Sequence, residues 1–327
     1  MQRVTVVIPY YQRASGILTR ALRSIAAQRR TAPLTVMVVD DESPRPACLD
    51  VAEVALPADI EVRILQRRNG GPGAARNAAL DAAPADTRWI AFLDSDDTWM
   101  PDHLERALAA LATGGELYFA NHLELGAQKD AFARRLTSVD ELIRASRRLA
   151  LPDAYAFDGD MVERILAGNL IETSTVVYDF QRLGHLRFDT SLREAFEDHL
   201  FWLEAARLPA RFVYSTRVAV HYGAGINLFR NASWGTEPGL KRVISATAFR
   251  RRLLEGFPLT APQRELVERE LEDDRRSFVT EVLHRVVRGR GVPLRLLRRQ
   301  FASDRRSLWY FVPPTVDVAL TRRAGAR

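Results

Sequence analysis

Three carboxylates stand at the end of an apolar run in the stretch from Trp89 to Pro101, WIAFLDSDDTWMP. Asp94, Asp96 and Asp97 repel one another, and burial would add the cost of lost hydration, so we expect them to face water or a cation. Divalent metal ions prefer such oxygen ligands. The same residues also suit a turn and the N-cap of a helix beginning near Pro101, and the stretch alone leaves both interpretations open.

A glycine-rich stretch, RRNGGPGAARNAAL from Arg67 to Leu80, precedes a predicted helix. Glycines before a helix let backbone amides approach an anion, which suggests a phosphate-binding loop. The stretch lacks the Gly-Lys-Ser/Thr of a nucleoside-triphosphate loop, and its glycine spacing does not match the dinucleotide fingerprint. Two hypotheses remain: Arg76 reaches towards a ligand from the first turn of the helix, or the glycines only shape a tight turn.

Strand and helix patterns alternate around these polar residues. Apolar runs predict strands at residues 4–8, 34–39, 60–65, 89–93 and 117–120. The alternation with helical patterns predicts an α/β fold, with a mostly parallel sheet covered by helices on both faces. Ligands bind beyond the carboxyl ends of such strands, so we expect one rim to gather Pro9, Asp41, Asn69 and Asp94.

The later part of the chain is less regular. Its patterns predict loosely packed helix and loop over residues 125–165 and a strand over residues 167–178. A helix over residues 197–206 and a strand over residues 211–220 follow. Beyond about Gly239 the pattern is helical only. We therefore expect an α/β domain over residues 1–239 and a helical extension over residues 240–327.

Composition and charge restrict the class of protein. The 327 residues are 47% hydrophobic, enough for a sizeable core. No long apolar segment indicates a signal peptide or a spanning helix, so we expect a cytoplasmic protein. The single cysteine, Cys48, excludes an internal disulfide and a multi-cysteine zinc site.

The net charge of +6 is concentrated in the tail, because the sequence from Lys241 onward holds 20 basic and 10 acidic residues. Arginines alternate with aliphatic residues between Arg275 and Arg306, which predicts a pair of basic amphipathic helices broken at Gly289 to Pro293. Such helices suit peripheral contact with anionic lipid or with a partner, or form a helical subdomain with a solvated arginine face. No motif supports nucleic-acid binding.

Four stretches, in this order and spacing, resemble the family 2 glycosyltransferases: VTVVIPYYQR, VMVVDDES, NGGPGAARNAAL and FLDSDDTWMP. The resemblance covers roughly residues 3–225. It implies the GT-A fold, a Rossmann-like nucleotide-binding fold, and inverting transfer of a sugar from a nucleotide-sugar donor. It also implies that residues 1–122 bind the donor and that residues 123–239 form the acceptor side.

The resemblance implies a nucleotide pocket on the first strands. The Pro9 backbone and the ring of Tyr11 would begin this pocket, with the ring packing on the base. Asp41 would read the edge of the base. Arg76 would support base and phosphate from its helix.

The resemblance identifies Asp94-Ser95-Asp96 as the DxD motif of the family. Asp94 would then lie near the ribose, and Asp96 would bind a divalent metal, Mn²⁺ or Mg²⁺, that bridges the diphosphate. His221, at the end of a predicted strand, would complete the metal ligands. A histidine at this position is also compatible with a purely structural role.

On the acceptor side, the stretch from Phe188 to Ala206 resembles a segment in which the Asp of a Glu-Asp pair acts as general base. Here that residue is Asp198, which would take the proton of the acceptor hydroxyl. A simple helix cap is the alternative role. Asn169, Glu172 and Thr173 would line the acceptor pocket.

Two residues depart from the pattern of the family, without removing a group that the chemistry needs. Gln12 replaces the usual Asn after the tyrosine, and Glu42 replaces the usual Gly after the Asp pair. A residue with a Cβ avoids the left-handed backbone conformation, so we expect Glu42 to alter the geometry of its loop.

We expect a metal-dependent inverting glycosyltransferase that uses a nucleotide-diphosphate sugar, with UDP preferred, and a glycan, lipid-linked or other acceptor. Two alternatives stay open. A nucleotidyltransferase would also bind a nucleotide through metal and carboxylates, but it usually has a basic glycine-rich loop after its first strand. A protein that binds nucleotide sugars without turnover would carry the same acids.

Overall fold

The computed structural model of the chain describes residues 2–29, 32–223 and 233–311. The end of the predicted extension, residues 312–327, lies outside the described residues. The chain divides into two compact units. Within the described ranges, unit 1 comprises the residues up to 193 and residues 197–223, and unit 2 comprises residues 194–196 and 233–311.

Unit 1 is an α/β sandwich. Its strands are β1 (Arg3–Tyr10), β2 (Leu34–Asp40), β3 (Ile60–Gln66), β4 (Thr87–Phe92), β5 (Thr98–Trp99), β6 (Leu117–Leu123), β7 (Ser146–Arg148), β8 (Ala154–Phe157), β9 (Val177–Asp179) and β10 (Phe212–His221). Its helices are α1 (Ile17–Ala26), α2 (Ala47–Ala52), α3 (Pro72–Asp81), α4 (His103–Leu111), α5 (Ala131–Arg134), α6 (Leu136–Arg144), α7 (Met161–Ala167), α8 (Phe180–Leu183) and α9 (Glu197–Ala206). A 3₁₀ turn, Thr173–Thr175, precedes β9.

The central strands are buried on both faces because their side chains alternate between two apolar layers. In β1, Val6 and Val7 are both fully buried. Val6 belongs to the core cluster that contains Leu22 of α1. On the opposite face, the ring of Phe92 in β4 lies 6.2 Å from that of Phe201 in α9. This aromatic contact fixes α9 against the sheet.

The sheet brings six parallel strand ends to one rim. Its strand order is β3-β2-β1-β4-β9-β6-β10-β8-β7, with β5 paired to β10. β1 is parallel to β2 and to β4, β2 is parallel to β3, and β6 is parallel to β10. β9 runs antiparallel to both of its neighbours, so the two parallel groups point the same way. The predicted mixed, mostly parallel sheet with flanking helices is confirmed.

Some local predictions were wrong. The structure adds β7 and β8 within residues 125–165, where the sequence predicts only helix and loop. These strands have three and four residues, too few to show a clear period. Residues 167–178, predicted as one strand, contain the end of α7, a loop, the 3₁₀ turn and only the first two residues of β9. Leu170 and Ile171 in this loop are buried although they belong to no strand, and their burial imitates a strand pattern.

In the part of the chain that the structure describes, unit 2 is helical, as the sequence predicts. It consists of α10 (Glu237–Gly256), α11 (Ala261–Val287), α12 (Leu294–Ser303) and a 3₁₀ helix (Arg305–Phe311). Its core includes Ile244, Phe278 and Leu296. α11 ends just before Gly289 and α12 begins just after Pro293, so the predicted break is confirmed.

Two ion pairs organise unit 2. Arg275 donates to both carboxylate oxygens of Asp304, at 2.7 and 2.9 Å, and both side chains are buried. Arg299 of α12 pairs with Glu194 at 2.7 Å, and Phe196 stacks on Phe249 with ring centroids 5.1 Å apart. Residues 194–196 are thus packed into this unit.

Among the described helices, none is both long and apolar enough to cross a membrane.

Candidate active site

The three acids after β4 have different environments. Asp94 and Asp96 are partly exposed, whereas Asp97 is buried. Asp97 accepts hydrogen bonds from the Ser174 hydroxyl at 2.6 Å and from the Gly223 backbone N–H at 3.0 Å. Burial, followed by the charges of Asp96 and Asp94, raises the pKa of Asp97 well above its usual range. Asp97 therefore joins the loop after β4 to the 3₁₀ turn and to the end of β10.

The end of β10 approaches this loop very closely. A Cβ added at Gly223 would lie 1.5 Å from the backbone oxygen of Asp96. No side chain fits in that space, so glycine is required by the contact itself. The strand that carries His221 is thereby brought against the loop that carries Asp94 and Asp96.

The glycine loop after β3 is held by Asp41. Its carboxylate accepts the backbone N–H groups of Gly70, at 3.0 Å, and Gly71, at 2.8 Å, and Arg67 lies 3.3 Å away. Gly71 has a φ of +89°, and a Cβ there would meet the backbone oxygen of Arg193 at 2.7 Å. These two amides face a protein carboxylate, which favours the tight-turn interpretation over a phosphate loop.

The two departures from the family pattern have defined contacts. The Gln12 side-chain amide donates to the hydroxyl of Ser95 at 3.1 Å and so joins the loops after β1 and β4. Glu42 has a φ of 59°, in the left-handed region. The expectation that Glu42 avoids this conformation was wrong. Its carboxylate accepts the backbone N–H of Asn69 at 3.2 Å, a contact that offsets part of the strain.

Arg76 joins the two sides of the candidate site. From the first turns of α3, its guanidinium donates to Asp94 at 2.7 Å and to Glu197 at 3.0 Å, and it also lies over the ring of Phe188. Burial alone would lower the pKa of Arg76, but Asp94 and Glu197 outweigh burial and raise it. Arg76 is therefore a permanent cation between the loop after β4 and the start of α9.

The adjacent acids Glu197 and Asp198 have opposite pKa shifts. Burial, together with the charge of Asp198, raises the pKa of Glu197 to about 7. Burial also disfavours ionised Asp198, but the charge and hydrogen bonds of His199, with the charge of Arg76, outweigh it and lower the pKa of Asp198 to about 2. Asp198 is thus a carboxylate at neutral pH.

Asp198 lies beside two of the predicted acceptor-side residues. Its Oδ2 accepts the Thr173 hydroxyl at 3.3 Å. Next to Thr173, Glu172 accepts the hydroxyl of Tyr222 at 2.9 Å. The ring of His122 stacks on Tyr222, with centroids 4.4 Å apart. Asn169 makes a local turn instead, with its side chain bonded to the backbone of Ile171.

The remaining predicted residues, Pro9, Tyr11 and His221, lie at the rim. Pro9 is the penultimate residue of β1 and is partly exposed, and so is Tyr11, which follows the strand. His221 is the last residue of β10 and is exposed. It stands opposite Thr98 of β5 in the sheet.

Sequence reasoning missed several residues that the structure brings to this site. Glu197 was seen only as part of the Glu-Asp pair, and its ion pair with Arg76 spans 121 positions in the chain. Tyr222 follows the end of β10 and His122 is the penultimate residue of β6, and these two strands pair in parallel. That position at two neighbouring strand ends was a signal that could have identified both residues.

The residues at this rim fit a hard divalent cation. Asp94 and Asp96 offer carboxylate oxygens, the ligand type that Mg²⁺ and Mn²⁺ prefer. Among the described residues, no group of three or more His, Cys, Asp or Glu side chains is arranged to hold a metal ion. The set therefore suits a cation that takes one or two protein carboxylates and completes its shell with substrate phosphates.

Comparison with known proteins gives consistent matches. The model of a family described as glycosyl transferase family 2 matches residues 5–151. The succinoglycan biosynthesis protein ExoW of Rhizobium meliloti (strain 1021) is 32% identical over 244 residues, which cover 71% of this chain and 72% of ExoW. ExoO of the same organism is 40% identical over 150 residues, 46% of this chain and 40% of ExoO.

Solved structures share the fold. Staphylococcus aureus TarS 1-349 in complex with UDP-GlcNAc has a TM-score of 0.61 at 19% identity, covering 97% of this chain and 83% of that one. The mannosyltransferase PcManGT from Pyrobaculum calidifontis, in complex with GDP-Man and Mn²⁺, has a TM-score of 0.58 at 16% identity, covering 94% and 82%. These likenesses show the GT-A fold.

Proposed function

The chain belongs to glycosyltransferase family 2, and from this premise we propose that it is a metal-dependent inverting enzyme of polysaccharide or glycoconjugate synthesis. It transfers a sugar from a nucleotide-diphosphate sugar, with UDP preferred, to a hydroxyl of a glycan or lipid-linked acceptor. The activity resides in residues 1–239, and residues 240–327 form an extension. A cytoplasmic site of action is part of the proposal.

The names of similar proteins support this proposal. ExoW and ExoO are called succinoglycan biosynthesis proteins, and succinoglycan is a polysaccharide. TarS has been solved with UDP and with UDP-GlcNAc, and PcManGT with GDP-Man and Mn²⁺. A nucleotide sugar is bound in the TarS complex with UDP-GlcNAc and in the PcManGT complex with GDP-Man. The nucleotide differs between the two, and Mn²⁺ is named only for PcManGT.

The observation that carries the proposal is the double contact of Arg76. One guanidinium binds Asp94, in the predicted donor motif, and Glu197, the neighbour of the predicted base. A residue predicted for the donor side and a neighbour of the predicted base therefore contact one buried cation. Such an arrangement keeps reacting groups in a fixed relation, which is a large part of what enzymes contribute to catalysis.

On the acceptor side, Asp198 acts as general base. It accepts the proton of the acceptor hydroxyl while that oxygen forms a bond to the anomeric carbon of the donor. The bond from this carbon to the diphosphate oxygen breaks, its electron pair leaves with the diphosphate, and the configuration inverts. Thr173 and His199 orient the carboxylate through their hydrogen bonds. Glu172 and Asn169 are proposed to line the acceptor pocket.

On the donor side, Pro9, Tyr11 and Asp41 form the nucleotide pocket, and Arg76 holds Asp94 in place. Asp96, with His221, would hold the divalent metal. When bound, such a metal neutralises the negative charge that develops on the leaving diphosphate. Ser95, fixed by its hydrogen bond from Gln12, keeps the loop between the two acids in one conformation.

Release of nucleoside diphosphate from UDP-, dTDP- and GDP-sugars tests the proposal, with Mn²⁺, with Mg²⁺ and with chelator. We expect metal-dependent release from one donor, with water as surrogate acceptor. Asp198→Asn should lower release on the order of 10²-fold while donor binding persists, because only the base is lost. Asp96→Ala should abolish the metal dependence of nucleotide affinity.

Asp140→Asn, at an exposed acid of α6, is the matched control and should leave both quantities unchanged. Unchanged release by Asp198→Asn would remove this residue from the mechanism. Equal nucleotide affinity with metal and with chelator in the native protein would refute the metal assignment. Absence of nucleotide binding under every condition would refute the donor site.

A further inference from the structure

The turn between α11 and α12 concentrates positive charge. Residues 285–299 contain six arginines and no acidic residue. Arg288 and Arg298 are exposed. Arg290 and Arg295 are exposed as well, although Arg290 also donates to the backbone oxygen of Gly235 and Arg295 donates to Glu237. The outer surface of this turn is therefore strongly cationic.

Aliphatic side chains are exposed among these arginines. Val286, Val287 and Leu294 are 60%, 63% and 68% exposed. The same two helices place Val282 and Leu296 in the core of unit 2, so their inward apolar positions are already filled. These three exposed side chains, two at the end of α11 and one at the start of α12, are not part of the core of this unit.

The turn is held in one conformation. Arg285 is buried and donates to the backbone oxygen of Gly291, at 2.7 Å, and to that of Gly235, at 3.1 Å. Gly289, with a φ of +65°, allows the chain to reverse. A surface fixed in this way loses little conformational entropy when it binds.

We propose that this turn docks on the surface of an anionic phospholipid bilayer. Val286, Val287 and Leu294 enter the boundary between headgroups and acyl chains, and the exposed arginines contact the lipid phosphates. Nucleic acid would match the arginines but would leave the aliphatic side chains in water. The inference concerns unit 2 alone and does not rest on the proposed function.

Flotation of the full chain with vesicles tests the proposal. We expect binding to phosphatidylcholine mixed with phosphatidylglycerol, little binding to phosphatidylcholine alone, and loss of binding at high salt. Arg288→Ser with Arg298→Ser should weaken binding about 25-fold, since each arginine near the surface contributes roughly fivefold. Val286→Ser with Val287→Ser should weaken it about tenfold.

Arg269→Ser with Arg276→Ser is the matched control. It removes the same number of positive charges from unit 2, at α11 residues that are 65% and 61% exposed and lie away from the turn, and should weaken binding much less. An equal loss of vesicle binding in this control would show that only the net charge of the protein matters, and would overturn the proposal. So would equal binding to neutral vesicles, or a self-association of the protein that Val286→Ser with Val287→Ser abolishes while vesicle binding is unaffected.

Discussion

Arg76 has two partners that the chain supplies from distant positions. Its planar guanidinium donates in two directions, to Asp94 and to Glu197, while the residue is only 3% exposed. A lysine has a single ammonium group and cannot reproduce this fork. Without Arg76, Asp94 and Glu197 would lose the cation that both of them contact. The site therefore depends on one cation for its electrostatic balance.

His199 allows the proposed base to be tested through pH. Since the charge and hydrogen bonds of His199 help to lower the pKa of Asp198 to about 2, His199→Gln should raise that pKa. Asp198 would then become protonated at a higher pH, so the acidic limb of the profile of kcat/KM against pH should shift to higher pH. His185→Gln, at an exposed histidine, is the control. A uniform loss of rate with an unmoved limb would assign His199 a structural role only.

His103 is a buried residue with a predictable effect on stability. It packs between Trp99 and Tyr118, and burial lowers its pKa to about 3. Below pH ~6.5 the unfolded chain binds a proton at this position that the folded chain does not, so stability falls as the pH drops from ~6.5 towards 3.

Because of His103, we expect the free energy of unfolding to fall by about 2–3 kcal/mol between pH 6.5 and pH 4.5, at ~1.4 kcal/mol per pH unit. His103→Leu should lack this loss, because leucine takes up no proton. Denaturant unfolding of both proteins at several pH values measures the difference. If the two stability profiles stay parallel, the proton uptake does not occur at His103.

At the scale of elements, the sequence predicted what periodicity can reveal. The helix Glu197–Ala206 and the end of β10 at His221 were placed correctly, because both are regular and flanked by polar residues. β5 was missed because it has two residues and exists only through its pairing with β10. The contacts of Gln12 with Ser95 and of Arg76 with Glu197 depend on tertiary placement, which no local pattern encodes.

Gly223 controls how two elements meet. Gly223→Ala should push the end of β10 away from the loop after β4, since the added Cβ would overlap the oxygen of Asp96. We expect a loss of about 1–3 kcal/mol of stability from overpacking and roughly 10²-fold lower turnover from misplaced groups. Gly291→Ala, where no atom lies within 4 Å of the added Cβ, is the control. Native turnover in Gly223→Ala would show that the close approach is not needed.

At the scale of the whole molecule, unit 2 is organised by the buried pair Arg275 and Asp304. Ser307 also donates to Asp304 at 2.8 Å, so the carboxylate has several donors. The sequence predicted the helices of this unit from their periodicity. It did not predict the pair, because a charged residue on an amphipathic helix is usually expected on the solvent side.

Asp304→Ala should lower the free energy of unfolding of unit 2 by about 3–5 kcal/mol, because Arg275 would stay buried without its counter-ion. Arg275→Met with Asp304→Leu should recover most of this loss. Thermal unfolding measures both variants. Glu265→Ala, which removes an exposed pair with Arg269, should change stability by less than ~1 kcal/mol. If Arg275→Met with Asp304→Leu were as unstable as Asp304→Ala, the uncompensated charge of Arg275 would not be the cause of the loss.

Residues 194–196 give the chain an interleaved order, because they pack with Phe249 and Arg299 but lie between two stretches of unit 1. No single stop codon can therefore remove unit 2 cleanly. A protein shortened at residue 239 would keep Phe196 and lose the ring on which it stacks. Residues 194–196 would then lack their packing partners, and they directly precede Glu197, the first residue of α9. Reduced activity of such a truncated protein would therefore not distinguish the loss of unit 2 from a disturbance at the start of α9.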